Sequence, residues 1–145
     1  MKKGLYIGAA LLSTCLLSGC GSETLKCTRE NNYNDQMKME QELKVTFKND
    51  KISNVALDTK IILNDNYAEY KETFKNQLED EFVAIKDEEG FKYSTKDNNE
   101  GFLFTIEANL NKMDDKTKAQ FSIANSEQTY KEAKQEFESE GYICK

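Results

Sequence analysis

The chain has 145 residues, 26 of them acidic and 20 basic, for a formal net charge of −6. That balance repels nucleic acid and anionic headgroups, so neither is expected as an electrostatic partner. With no histidine in the chain, the side chain that most often serves as a general base near neutral pH, and the commonest metal ligand, is missing. Charged residues make up 32% and mean hydropathy is −0.77, which approaches a disordered composition, but seven tyrosines and eight phenylalanines at mostly regular spacing predict a packed core.

Lys2 and Lys3 precede an apolar run from Leu5 to Leu17, which ends in Leu17-Ser18-Gly19-Cys20. A charged start, a short apolar run and small residues describe a secretory signal. The run is too short to cross a hydrocarbon core of ~30 Å, which takes ~20 apolar residues. Leu-Ser-Gly-Cys resembles the lipobox of bacterial lipoproteins at all four positions. That resemblance implies a signal peptide over residues 1–19, cleavage before Cys20, and a lipid on the Cys20 sulfur. It implies a protein anchored through lipid to the extracytoplasmic face of the cell membrane. The alternatives are an ordinary cleaved signal or an uncleaved anchor, with Cys20 there by coincidence. The agreement in register of the three segments favours the lipobox. Cleavage removes two lysines and no acid, so 126 residues remain with 18 basic and 26 acidic groups and a net charge of −8. That length suits one domain.

Of four cysteines, Cys15 leaves with the signal and Cys20 takes the lipid. Cys27 and Cys144 remain, and outside the cytosol two thiols in one small domain are expected to pair. A redox pair or soft-metal site would want CxxC spacing or a histidine, and has neither. In the chain-entropy model a bridge this long stabilises by at most ~4–5 kcal/mol. It also requires the first and last elements to be neighbours.

Residues 20–24 read as lipid anchor and tether, with a reach of at most ~14 Å, and residues 25–31 as a first strand. Asn32, Asn34 and Asp35 mark a turn. Met37, Met39, Leu43, Val45 and Phe47 then alternate with polar residues, which predicts a strand with one buried face; Gln41 is the exception on that face. Asn49-Asp50 is a hairpin signal, with Val55, Leu57, Thr59, Ile61 and Leu63 on the return strand. A strict two-residue turn would set Val45 against Asn54. A three-residue loop over Asn49 to Lys51, or an equivalent bulge, instead sets Val45 against Val55, Leu43 against Leu57 and Met39 against Ile61.

Asn66 and Glu69 have capping-box spacing. From there Tyr67, Tyr70, Phe74, Leu78, Phe82 and Ile85 recur at helical spacing as a core-facing stripe. Phe91 and Tyr93, then Phe102, Phe104, Ile106, Ala108 and Leu110, predict a second hairpin around Asp97 to Gly101. Residues 111–119 read as a loop or a single helical turn, and Phe121 and Ile123 as a short strand. Ser126 is placed as the N-cap of a second helix carrying Tyr130, Ala133 and Phe137 inward, with Gly141 ending it. Tyr142 to Lys145 extends into a last strand. The fold class is α+β: a single small domain over residues 25–145, its mostly antiparallel sheet packed against two amphipathic helices.

This order resembles the small YehR-like bacterial lipoproteins, a family whose domain has no settled function. The resemblance rests on the lipobox cysteine, the hairpin Val45-Thr46-Phe47-Lys48-Asn49-Asp50-Lys51-Ile52, the aromatic helix after it, and Glu140-Gly141-Tyr142. It implies fold and location and nothing about chemistry. The Cys27 and Cys144 pair does not come from it.

Acidic runs stand at Glu79-Asp80-Glu81, Asp87-Glu88-Glu89, Asp97 with Glu100, and Asp114-Asp115. Asp97 and Glu100 form a candidate cation loop, although the spacing is not that of an EF-hand, and such runs are more often solvated faces. No nucleophile elbow, phosphate loop or HExxH occurs, and no two carboxylates are placed for glycoside hydrolysis. The expectation is therefore no catalytic residue, no metal and no cofactor. Met37 and Met39 suit either core packing or an adaptable binding surface. The function expected is a non-enzymatic, lipid-anchored binding module of the bacterial envelope, whose partner is an envelope protein or a peptide docked on a sheet edge. The alternative is a small-ligand or cation-binding accessory lipoprotein, and a small hydrolase is a third class.

Overall fold

The computed structural model describes residues 21–33, 35–120 and 127–145. The expected signal peptide, Cys20, the strand expected at Phe121 and Ile123, and Ser126 lie outside the described residues. Six strands form one antiparallel sheet in the order β4-β5-β3-β2-β1-β6. They are β1 (Ser22–Tyr33), β2 (Met37–Lys48), β3 (Lys51–Leu63), β4 (Phe91–Asn98), β5 (Gly101–Asn109) and β6 (Ile143–Cys144). The helices are α1 (Lys71–Phe82), α2 (Asp115–Gln120) and α3 (Tyr130–Ser139).

The first strand starts earlier than expected. Ser22, Glu23 and Thr24 already pair with Lys48, Phe47 and Thr46, so these three residues are sheet and not free tether.

The β2–β3 hairpin meets the register requirement by a bulge. Its turn is the two-residue one, with Asn49 and Asp50 at φ 53° and 60°, the left-handed pair whose twist matches the flanking strands. Lys48 pairs with Lys51 and Phe47 with Ile52, then the register shifts between Thr46 and Phe47. Ser53 is the extra residue. Its hydroxyl donates to Thr46 O (3.0 Å), and its carbonyl accepts from Leu110 N–H (2.8 Å). Beyond the bulge Val45 faces Val55, Leu43 faces Leu57 and Met39 faces Ile61.

The long aromatic helix is broken in three. Residues Asp65–Tyr70 and Val83–Ile85 are 3₁₀ turns on either side of α1. The cap is Asn64 and not Asn66: its side chain accepts from Asn66 N–H, while its own amide donates to Asp35 O. Three residues per turn set Tyr67 and Tyr70 in line with each other, and their rings meet at 6.0 Å. Tyr70 is thereby turned out to solvent. Phe74, Leu78 and Phe82 do pack on the core, with Phe82 5.8 Å from both Phe91 and Phe104.

The segment expected as a loop or single turn forms the short α2, and the helix expected after it, α3, begins at Tyr130, capped by Thr129, whose hydroxyl accepts from Glu132 N–H while Glu132 accepts from Thr129 N–H. This capping box replaces the cap expected at Ser126. Ala133 and Phe137 are buried, and the chain turns at Gly141 with φ 90° and a Tyr142 N–H bond back to Phe137 O, as the glycine implied. α1 lies over β5, and α3 over β1 and β6.

β5 starts where backbone meets backbone. A Cβ on Gly101 would collide with the carbonyl oxygen of Ile61 on β3. Gly101→Ala should therefore lower stability by more than ~2 kcal/mol, in the range of overpacking. Urea unfolding of the variant measures it.

Candidate functional site

Strand alternation gives the sheet two unlike faces. Leu25, Cys27, Leu43, Val45, Val55, Ile61, Phe102, Phe104, Ile106 and Ala108 point to the helices and are buried. The other face carries no helix among the described residues. A shallow trough of about 670 Å³ runs over it, lined among others by Thr28, Glu30, Glu40, Glu42, Asp58 and Lys60. Leu103 is in its floor and Ile143, 69% exposed, forms part of its wall. A second trough of about 620 Å³, beside Lys44, Asn54, Lys92 and Glu107, continues the same face.

Charges in the first trough are cross-linked in ladders. Lys38 Nζ lies 2.7 Å from Glu40 and 3.1 Å from Glu30, Lys44 3.0 Å from Glu42, and Lys60 3.0 Å from Glu100. Thr105 Oγ1 donates to Asp58 at 2.8 Å. Hydrogen bonds that it donates to Glu40 and then Glu30 hold the Lys38 ammonium above its usual pKa. The Lys38 bond holds the Glu40 carboxyl below its own. The Lys38–Glu40 pair is thus held in its charged form, and the paired charges offer a surface suited to recognition of charge and shape.

The helix-facing side has a polar seam between α1 and α3, and it explains Gln41. Arg29, Gln41 and Thr59 occupy one row across β1, β2 and β3. Arg29 donates to Gln41 Oε1 from Nε (3.0 Å) and Nη2 (2.6 Å), and from Nη1 to Glu140 O (3.1 Å). Gln41 Nε2 donates to Thr59 Oγ1 (3.4 Å), and Tyr142 OH donates to Gln41 Oε1 (3.4 Å). The guanidinium carbon stands 4.3 Å above the Tyr142 ring, whose phenol pKa is raised by burial. The break in the β2 alternation and Thr59 opposite it were the available signal. Arg29 could not be joined to them without the strand pairing. Arg29→Ala should cost about 1–3 kcal/mol, because it leaves Gln41 Oε1 with only the long Tyr142 bond and removes the Arg29 donor from Glu140 O. Arg29→Lys should recover little of this, since an ammonium cannot make the fork or the stack. Thermal unfolding of both variants reads the difference.

Cys27 and Cys144 are bonded, with Cα atoms 4.0 Å apart and 117 residues between them in sequence. They sit opposite each other in the β1–β6 pair. The two acids of the candidate cation loop go to different sides of the sheet. Asp97 bonds Lys75 (3.0 Å) and Lys71 (3.2 Å) of α1, whereas Glu100 bonds Lys60 on the uncovered face. Among the described residues no three His, Cys, Asp or Glu side chains gather in a way that could hold a metal. Met37 and Met39 are partly buried against the core.

Lys75 and then Lys71 hold the Asp97 carboxyl below its ordinary 3.8. A carboxyl depressed on folding stabilises above its unfolded pKa, and that stability is lost as pH falls through the folded value. Asp97→Asn should therefore flatten the fall in unfolding temperature from about pH 5 to about pH 2, as a pH series of thermal melts would show.

No protein-family model matches the chain, and no curated protein does. Two solved structures share its fold. The NMR structure of the E. coli YehR protein aligns at TM-score 0.61 and 17% identity, covering 86% of this chain and 92% of that one. The NMR structure of a protein from Streptococcus pneumoniae TIGR4 aligns at TM-score 0.55 and 18% identity, covering 100% of this chain and 98% of that one. The fold is YehR-like.

Proposed function

We propose that this protein is a non-enzymatic binding module, anchored by lipid on Cys20 to the extracytoplasmic face of the cell membrane, that holds an envelope protein or peptide. The observation that carries the reading is the face of the sheet that no described helix covers, with its two troughs and its ladders of ion pairs. The lipobox supports the location. Ser22 is already paired in β1, and Gly21 O accepts from Asn49 N–H (3.2 Å), so a lipid on Cys20 would keep the β2–β3 turn at the bilayer. The strands would then lead away from it. A domain attached this closely presents its sheet in a restricted orientation, which suits a partner held in the same membrane.

The trough volume also falls in the range of small-molecule sites, ~300–1,000 Å³, and supports an accessory role with a small polar ligand or cation as the second reading. In-cell crosslinking from a photoreactive residue at Thr28, followed by mass spectrometry, separates the two. The binding module requires one abundant envelope protein, lost when Cys20→Ala releases the anchor. Capture of unspecific neighbours alone overturns it and favours the small-ligand reading. For the cation form of that reading, a calcium-dependent rise in melting temperature that survives Asp97→Ala with Glu100→Ala excludes the 97–101 loop as the site.

A further inference from the structure

Among the described residues the outer edge of the sheet at β4 is unpaired. Asn109 N–H donates to Gly90 O and Leu63 N–H to Glu100 O, so odd residues of β5 bond toward β4 and even ones toward β3. The antiparallel ladder then directs Lys92, Ser94, Lys96 and Asn98 to β5 and leaves the amides and carbonyls of Tyr93, Thr95 and Asp97 pointing outward. Among the described residues none of these backbone groups has a partner. The side chains of Thr95 and Asp97 are tied to α1, Thr95 Oγ1 to Glu79 at 2.6 Å and Asp97 to Lys75 at 3.0 Å.

Edges are usually guarded by proline, bulges, shortness or charge. The chain has no proline, and β4 pairs with β5 over all eight residues without a bulge. Two lysines are what remain. Lys92 and Lys96 project from the uncovered face, and neither is in an ion pair among the described residues, unlike Lys38, Lys44 and Lys60. A second β4 added antiparallel about Ser94 would set Lys92 against Lys96, so these charges repel a like edge and favour one of opposite sign.

We propose that the β4 edge is a strand-addition site for an extended acidic segment of a partner, a reading that rests on and specifies the binding-module function. The main chain supplies the bonds at Tyr93, Thr95 and Asp97, and Lys92 and Lys96 select carboxylates on alternate residues of the incoming strand.

The test uses the full-length lipidated chain in detergent micelles. The probe is a fluorescent octapeptide of alternating glutamate and valine, set against its lysine–valine counterpart. The acidic peptide should bind at least tenfold tighter and slow hydrogen exchange at the Tyr93, Thr95 and Asp97 amides. Lys92→Glu with Lys96→Glu should reverse the preference. Thr95→Pro, which removes an outward amide and no ladder bond, should weaken binding at least tenfold; if that variant does not fold, the charge reversal alone decides. Equal affinity for the two peptides, no binding of either, or a preference unchanged by charge reversal would each overturn the site. Retention of the in-cell crosslinked partner by the charge-reversed variant rejects the edge and keeps the binding module. Selective peptide binding with no cellular partner does the reverse.

Discussion

One extra residue at Ser53 governs which side of every strand is buried. Side chains alternate with period two, so a slip of one residue in β2 against β3 would send Val45 and Leu43 to solvent and Lys44 and Glu42 to the helices. β1 takes its register from β2, and β5 and β4 take theirs from β3. Cys144, Cys27, Leu43, Leu57, Ile106 and Tyr93 thus form a single row across all six strands. The disulfide, the apolar core and the footing of α1 are all placed by that row.

The two halves of the helical layer are held by different forces. α1 is attached through rings, Phe82 stacking on Phe91 and meeting Phe104 and Tyr93 at a tilt, and its ion pairs to Asp97 are exposed additions. α3 contributes only ten residues, with Ala133 and Phe137 buried. β6 has two residues and could not persist as an isolated pairing. The C-terminal unit therefore depends on the Cys27–Cys144 bond and on Arg29, which reaches from β1 to Glu140 O and Tyr142. Both act at the same place, where β1 meets β6, and the bond is worth most because it closes so long a loop.

One face of the sheet is spent on folding, and among the described residues no helix covers the other. Antiparallel sheets can bear this because alternation keeps their solvent face polar. On this protein that face is unevenly charged: carboxylates of Glu30, Glu40, Glu42 and Asp58 gather over β1 to β3, and Lys92 and Lys96 mark the far edge. A lipid attached close to the start of β1 would fix how both regions are presented.

The sequence by itself determined the elements whose signals are local. Strand alternation, the two hairpins, the helix-ending Gly141 and the pairing of Cys27 with Cys144 were all legible, because each depends on neighbours in the chain or on counting. Cap positions were less so: Asn64 won over Asn66 through its bond to Asp35 O across another turn, and Thr129 over Ser126 through its reciprocal bonds with Glu132. What only the tertiary structure decided depends on registers between distant strands. The bulge at Ser53 rather than a wider loop, Arg29 as the partner of Gln41, and the separation of Asp97 from Glu100 belong to this group. The last is the plainest case. Asp97 and Glu100 are three apart in the chain, yet one meets lysines of α1 beneath the sheet and the other a lysine of β3 above it, because the turn between β4 and β5 sends their side chains to opposite faces.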